Sequence, residues 1–200
     1  KKIMEALRGP MEDRKVTISR LKSKVEYPSD FMLVAATNPC PCGYYNHPDI
    51  ECTCHPGMVN KYLNKVSGPL MDRIDLHIEV TPLSHSALAE KQLGEPSEAI
   101  RQRVIAARKI QEERYKDHKG IHCNAQMTTK LFRQYCEINE ECQNLMKIAM
   151  DRLGLSARAY DRILKVARTI ADLDNSEKIT VDHLSEAINY RSLDRDSWGR

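Results

Sequence analysis

No stretch of the 200-residue chain approaches the ~20 consecutive apolar residues that a membrane-spanning helix needs. No membrane partner is therefore expected. The opening Lys1-Lys2-Ile3-Met4-Glu5 has no apolar leader segment, and a helical pattern is already running at residue 1. No repeat recurs at a fixed period. Charge of one sign is also lacking: 31 basic against 28 acidic side chains leave a net charge of +3, too mild by itself to announce a nucleic-acid binder. Cysteine is present, but its seven copies are an odd number, which suits free thiols or a metal in a reducing, cytoplasmic setting better than a disulfide framework. What remains is an ordinary globular composition, 41% hydrophobic and 30% charged, long enough for one large domain or two small ones.

The chain is organised around Phe31-Met-Leu-Val-Ala-Ala-Thr37-Asn38. Its six uninterrupted apolar residues predict a short strand buried on both faces, as in a parallel sheet covered by helices. Ligands of such sheets lie beyond the carboxyl ends of the strands. Asn38 stands at that end and Pro39 stops the strand, so Asn38 is placed either to bind something over the sheet edge or simply to start a turn. Ahead of it, a helix over residues 1–10 is expected to end at Gly9-Pro10. Alternation over Lys15–Leu21, with a return at Val25-Glu26-Tyr27, then predicts a hairpin. Arg14, Lys15, Arg20, Lys22 and Lys24 make that hairpin the most basic local patch, suited to a solvated tip or to a phosphate backbone.

Cys40-x-Cys42 and Cys52-x-Cys54, nine residues apart, place four thiols within fifteen residues. This is a candidate tetrahedral zinc set, since thiolates are favoured zinc ligands. Its C-x-C spacing is unlike the common C-x2-C knuckle and also suits a loop of free cysteines, and His47 or His55 could replace one thiol. Four protein ligands would leave no open position, so the role would be structural. A short helix follows over residues 58–66. Ile74, Leu76, Ile78 and Val80 then alternate with polar residues as another strand, with Arg73 at its mouth between Asp72 and Asp75. That arginine is either a surface ion pair or a guanidinium held to offer its fork to a phosphate.

From Ser97 onward the pattern is helical. Ser97, Thr128, Ser156 and Thr180 are expected N-caps, and Gly154 a C-terminal cap. Ile100, Val104, Ala107 and Ile110 form one apolar face. Cys142, Leu145, Met146, Ala149, Met150 and Leu153 form the cleanest one, and Tyr160, Ile163, Leu164, Ala167 and Ile170 a third. Arg158, in a first turn where backbone N–H groups are unpaired, shares the opposite face with Arg162 and Lys165.

Three pieces together, Val34-Ala-Ala-Thr-Asn-Pro-Cys-Pro-Cys-Gly43, Ser67-Gly-Pro-Leu-Met-Asp-Arg-Ile-Asp-Leu76 and Gly154-Leu-Ser-Ala-Arg-Ala-Tyr-Asp-Arg-Ile163, resemble the C-terminal part of the magnesium chelatase-related AAA+ ATPases, most closely the ComM-like (YifB-type) group. The resemblance covers nearly the whole chain. It implies α/β plus all-α architecture: the C-terminal half of an AAA+ sheet module over residues 1–82, a linker over 83–96, a helical lid over 97–193 and a frayed tail over 194–200. It puts Asn38 at the sensor-1 position, Arg73 at the arginine finger that enters a neighbouring subunit's nucleotide, and Arg158 at the sensor-2 position with Arg162 as its alternative. The hairpin matches an insertion that faces the central pore in ring helicases, which makes Arg20, Lys22 and Lys24 the DNA-contacting candidates. The cysteine pairs match a segment that some members have and others lack.

The activity implied is ATP hydrolysis with Mg²⁺ in a homo-oligomeric ring, expected to be a hexamer, in the cytoplasm, acting on DNA in ComM-like branch migration. The alternatives are a chelatase-type motor for Mg²⁺ insertion into a porphyrin, or a zinc-stapled DNA-binding or interaction module without ATPase activity. One departure from the family is plain: the sequence has no G-x-x-x-x-G-K-[ST] loop and no apolar strand ending in Asp-Glu to hold Mg²⁺. The expectation is therefore a piece of a longer motor that by itself binds ATP weakly or not at all and does not hydrolyse it.

Overall fold

A computed structural model of the chain describes residues 2–80, 82 and 94–191. Contacts group these residues into two units, the first running to Leu76 and the second beginning at His77. Residues 83–93 of the expected linker and the tail over 194–200 lie outside the described residues. The architecture is mixed α/β and mostly helical, with a single two-stranded sheet among the described residues. None of the described helices is long and apolar enough to cross a membrane.

The first unit opens with α1 (Lys2–Ala6) and α2 (Arg8–Asp13). The expectation that Gly9-Pro10 ends the helix is corrected: both residues lie in the first turn of α2. Proline fits there because that turn's N–H groups have no intrahelical acceptor to lose. The chain leaves α2 at Arg14, whose left-handed backbone (φ 54°) lets its N–H reach the Pro10 carbonyl at 3.0 Å.

Strands β1 (Lys15–Arg20) and β2 (Ser23–Pro28) then pair antiparallel, from Lys15 opposite Pro28 to Arg20 opposite Ser23, leaving Leu21-Lys22 as the turn. Lys15 reaches across to Glu26 at 3.2 Å. Ile18, Val25 and Tyr27 stay exposed, and Leu21 at the tip is fully so. A hairpin with neither face covered is marginal in isolation.

The buried strand expected at Phe31–Asn38 is corrected as well. These residues form no strand among those described, and Met32 and Val34 are largely exposed. The same holds for the alternating stretch 74–80, where Ile78 and Val80 are exposed. A strand exists only through hydrogen bonds to a neighbour. Apolar patterning reports that side chains seek burial; it does not supply the strand that would bury them. Helices α3 (Pro56–Leu63) and α4 (Gly68–Met71) complete the first unit, with Ser67 capping α4 by accepting from Leu70 N–H at 3.3 Å.

The second unit is a helical assembly of α5 (Ser97–Tyr115), a 3₁₀ turn (Asn124–Gln126), α6 (Thr129–Tyr135), α7 (Glu140–Leu153), α8 (Ala157–Leu173) and α9 (Val181–Asn189). The expected caps hold at Thr128, Ser156 and Thr180, each accepting from the backbone N–H three residues on. Gly154 ends α7 with φ 61°, a conformation that costs a side-chain-bearing residue about 1 kcal/mol or more. Ser97 is the first helical residue rather than the cap, which falls on Pro96.

The α7 stripe is core as expected: Cys142 and Met146 are sealed, with Leu145, Met150 and Leu153 packed around them. Ile163, Leu164 and Ala167 of α8 meet Leu131, Tyr115 and Leu184 in the same cluster. On α5, burial is confined to Ala107, Gln111 and Tyr115, while Ile100 and Val104 remain exposed against the expectation of one continuous apolar face.

A buried polar network runs through this core. Asp172, 0% exposed, accepts from Arg114 Nη1 (2.8 Å), Arg168 Nε (3.1 Å) and Asn124 Nδ2 (2.8 Å). Arg168 spends its remaining donors on the carbonyls of Glu177 (2.7 Å) and Ser176. Burial pushes the Tyr115 hydroxyl up to about 12, so it remains a donor to Asn124 Oδ1 at 2.8 Å. Buried charges are tolerated only when paired and fully hydrogen-bonded. Asp172→Ala, which strands two guanidiniums, is expected to destabilise this unit by about 3–5 kcal/mol, measured as a fall in its chemical-denaturation midpoint. A loss below about 1 kcal/mol would show that the network is not a determinant of stability.

Candidate functional site

The four thiols meet. Gly43, at φ 87°, turns the chain so that its N–H returns to the Cys40 carbonyl at 3.1 Å, which folds Cys42 back beside Cys40. The second pair arrives just before α3. Sulfur separations are 3.3 Å for Cys40–Cys42, 3.7 Å for Cys40–Cys52 and 3.5 Å for Cys42–Cys52, and all four Sγ atoms lie within 4.8 Å of one another. Disulfide sulfurs would sit ~2.0 Å apart. Sulfurs ligating one tetrahedral ion at the ~2.3 Å zinc–thiolate distance would sit ~3.8 Å apart. The cluster therefore fits a single thiophilic ion, with no position left over for chemistry. His47 is not needed as a substitute ligand: its Nδ1 accepts from the backbone N–H groups of Asp49 and Ile50, both at 3.1 Å.

The thiols do not ionise alike. A backbone hydrogen bond from Tyr44 pulls Cys42 down to about 5. At Cys52 the corresponding bond from Cys54 also pulls down, but desolvation and the neighbouring thiols outweigh it and push the group up to about 12. Desolvation, aided by the same neighbours, raises Cys54. Without a cation Cys42 is thus favoured as thiolate while Cys52 and Cys54 are held toward their protonated forms, and a bound cation would favour the thiolates throughout. Val59, Leu63 and Tyr62 of α3 pack on the sulfurs, so the cluster is itself the small core of this segment.

Asn38 is exposed two residues before Cys40, and its carbonyl accepts from Thr37 Oγ1 at 3.2 Å. Arg73 follows α4, and the structure draws it inward: it is 8% exposed, its Nε and Nη2 donate to Glu12 Oε2 (Nε at 3.0 Å), and its Nη1 donates to the Pro69 carbonyl at 2.6 Å. The sequence pointed to Asp72 and Asp75 as flanking charges. Glu12, 61 positions away, left no local signal. Arg20, Lys22 and Lys24 are exposed together at the hairpin end, with Arg20 opposite Ser23 and Lys24 opposite Ser19. In the second unit, Arg158 is exposed in the first turn of α8, and Arg162, one turn on, is half-buried.

Two family models match the chain in succession: residues 1–88 match magnesium chelatase, subunit ChlI, and residues 94–191 match magnesium chelatase, subunit ChlI C-terminal. The chain belongs to the magnesium chelatase-related family. Among its relatives are the uncharacterized protein YifB of Escherichia coli, 42% identical over 98% of this chain, and the competence protein ComM of Haemophilus influenzae, 40% identical over 98%. YifB of Salmonella typhimurium is 38% identical over the same share. The chain spans 37% of the length of each of these relatives. The family resemblance expected from the three motifs thus holds along the chain.

A family member with this cluster is expected to retain about one zinc ion per chain after gel filtration. Replacing Cys40, Cys42, Cys52 or Cys54 by Ser should each lower metal content below half an equivalent, while Cys123→Ser should leave it unchanged. Because ligation requires thiolates, zinc affinity should fall on acidification. Elemental analysis and a chelator competition at two pH values check this.

Proposed function

We propose that this chain is part of a ring-forming AAA+ motor that hydrolyses ATP with Mg²⁺ and acts on DNA in the cytoplasm. Asn38 is the sensor-1 residue that orients the attacking water or the γ-phosphate. Arg73 is the arginine finger given to an adjacent subunit's nucleotide, and Arg158, or Arg162 one turn along, is the sensor-2 arginine of a helical lid. Phosphoryl transfer rests on positioning and on positive charge aimed at the γ-phosphate oxygens, and a finger supplied in trans contributes ~10³–10⁵ in rate. The phosphate-gripping loop and the Mg²⁺-holding acidic pair would come from the portion of the longer protein that this chain does not span. The exposed apolar stretch 31–38, which forms no strand here, would become one only by pairing with strands of that portion, which would set Asn38 at a sheet edge.

The observation that carries the DNA reading is the likeness, over 98% of the chain, to a protein named for competence, joined to a hairpin whose exposed end carries Arg20, Lys22 and Lys24 around the solvent-facing Leu21. The zinc-stapled segment is structural in this reading. A second reading, a chelatase-type motor for Mg²⁺ insertion into a porphyrin, is favoured by the family description itself. DNA-stimulated ATPase of the full-length protein separates the two, because a porphyrin motor should ignore single-stranded, duplex and branched DNA alike.

In that protein, Arg73→Ala is expected to abolish hydrolysis, a loss of ~10³-fold or more, with ATP binding and folding retained. Wild-type turnover would end the finger assignment. Replacing Arg20, Lys22 and Lys24 together by Ala should weaken DNA binding and flatten its salt dependence by ~0.7–0.9 for each phosphate contact removed. An unchanged slope in a salt titration would take DNA contact away from the hairpin.

A further inference from the structure

A finger arginine must present its terminal nitrogens to another subunit, yet all three guanidinium nitrogens of Arg73 are engaged within its own chain. Glu12 takes Nε and Nη2 on one carboxylate oxygen, and the Pro69 carbonyl takes Nη1. The two partners differ in kind. Pro69 is four residues back and belongs to α4, so its contact travels with the arginine. Glu12 comes from α2, near that helix's C-terminal end, and closes a loop of 61 positions. The pair is also asymmetric in exposure: the Arg73 side chain is 8% exposed and the Glu12 side chain 46%. The carboxylate therefore holds the guanidinium from the solvent side, where it can be exchanged for another anion with little desolvation cost.

We propose that Glu12 is a positioning residue that sheathes Arg73, holding the finger withdrawn until the phosphates of a nucleotide bound by an adjacent copy displace the carboxylate. The proposal rests on the reading of Arg73 as a finger. The chemistry favours exchange in that direction. A nucleotide's terminal phosphate carries more negative charge than one carboxylate and offers oxygens in the bidentate geometry a guanidinium fork matches. Until such an oxygen arrives, Glu12 keeps an otherwise unpaired buried cation from incurring its desolvation cost. The sheath thereby opposes hydrolysis by an unseated subunit, and it acts on the finger's availability rather than on ATP binding.

The test is steady-state ATPase of the full-length protein with Glu12→Gln, Arg73→Ala and the double variant, with ATP affinity and thermal unfolding measured alongside. Glu12→Gln, which removes the charge and keeps the shape, should raise kcat about threefold, the scale of a half-exposed ion pair, leave KM for ATP unchanged, and have no effect in the Arg73→Ala background. Glu12→Asp, whose carboxylate is one methylene short of the guanidinium, should raise kcat in the same way and decides the matter if Glu12→Gln does not fold. A kcat that is unchanged or lowered, a change in KM alone, or a rise that persists without Arg73 overturns the sheath. An Arg73→Ala variant that hydrolyses like wild type overturns the finger itself. A dead Arg73→Ala with an indifferent Glu12→Gln leaves the finger standing and removes the sheath alone.

Discussion

Between residues 31 and 55 the backbone makes neither helix nor strand, so its order has to come from side chains. The side chains that meet there are those of Cys40, Cys42, Cys52 and Cys54, with Val59 and Leu63 of α3 closing over them. Apolar groups of this segment, Met32 and Val34 foremost, stay exposed rather than packing together, and a loop of this length pays a large conformational cost on ordering. A shared ion is the kind of interaction that can meet that cost, because its binding free energy becomes folding free energy. Asn38 lies two residues upstream of the cluster, and α3 leaves it directly on the way to α4 and Arg73. The sulfur centre thus orders the loop that begins beside Asn38, whereas Arg73 is placed by Glu12 and the Pro69 carbonyl.

The second unit solves the same problem by other means. Its helices are long enough to present full apolar stripes, and Cys142, Met146, Ile163, Leu164 and Leu184 bury together in the ordinary way. Into that core it admits one carboxylate, Asp172, and satisfies it from Arg114, Arg168 and Asn124. Such a network fixes where α5, the 3₁₀ turn and α8 meet, since each donor comes from a different element and none can slip a turn without orphaning a charge. Arg158 and Arg162 belong to the same helix, nearer its N-terminus, and are carried by the packing of α8.

Arg73 shows how a charged residue can be ambiguous in one state and informative in its partner. The sequence put acidic residues on either side of it, which suggested a local ion pair. The structure brings in Glu12 from the other end of the unit instead, and buries the arginine beneath it. The motif containing Arg73 was legible because it is contiguous. The contact with Glu12 was not, because no spacing rule connects residues 61 positions apart.

Sequence alone determined what is local or contiguous. The hairpin followed from period-two alternation, and the caps at Thr128, Ser156, Thr180 and Gly154 from residue chemistry that acts within a few positions. The apolar stripe of α7 followed from helical periodicity, and the family from three short motifs. Tertiary structure decided whether apolar patterning at 31–38 and 74–80 becomes strand, because a ladder needs a partner that patterning does not name. It decided that four sulfurs converge to within the span of one ion, that Asp172 organises a buried network, and that Arg73 faces Glu12. The first of these three depends on how a fifteen-residue loop folds back on itself, and the other two on residues far apart in the chain, whose distances are set by the packing of whole elements rather than by any property of the residues that meet.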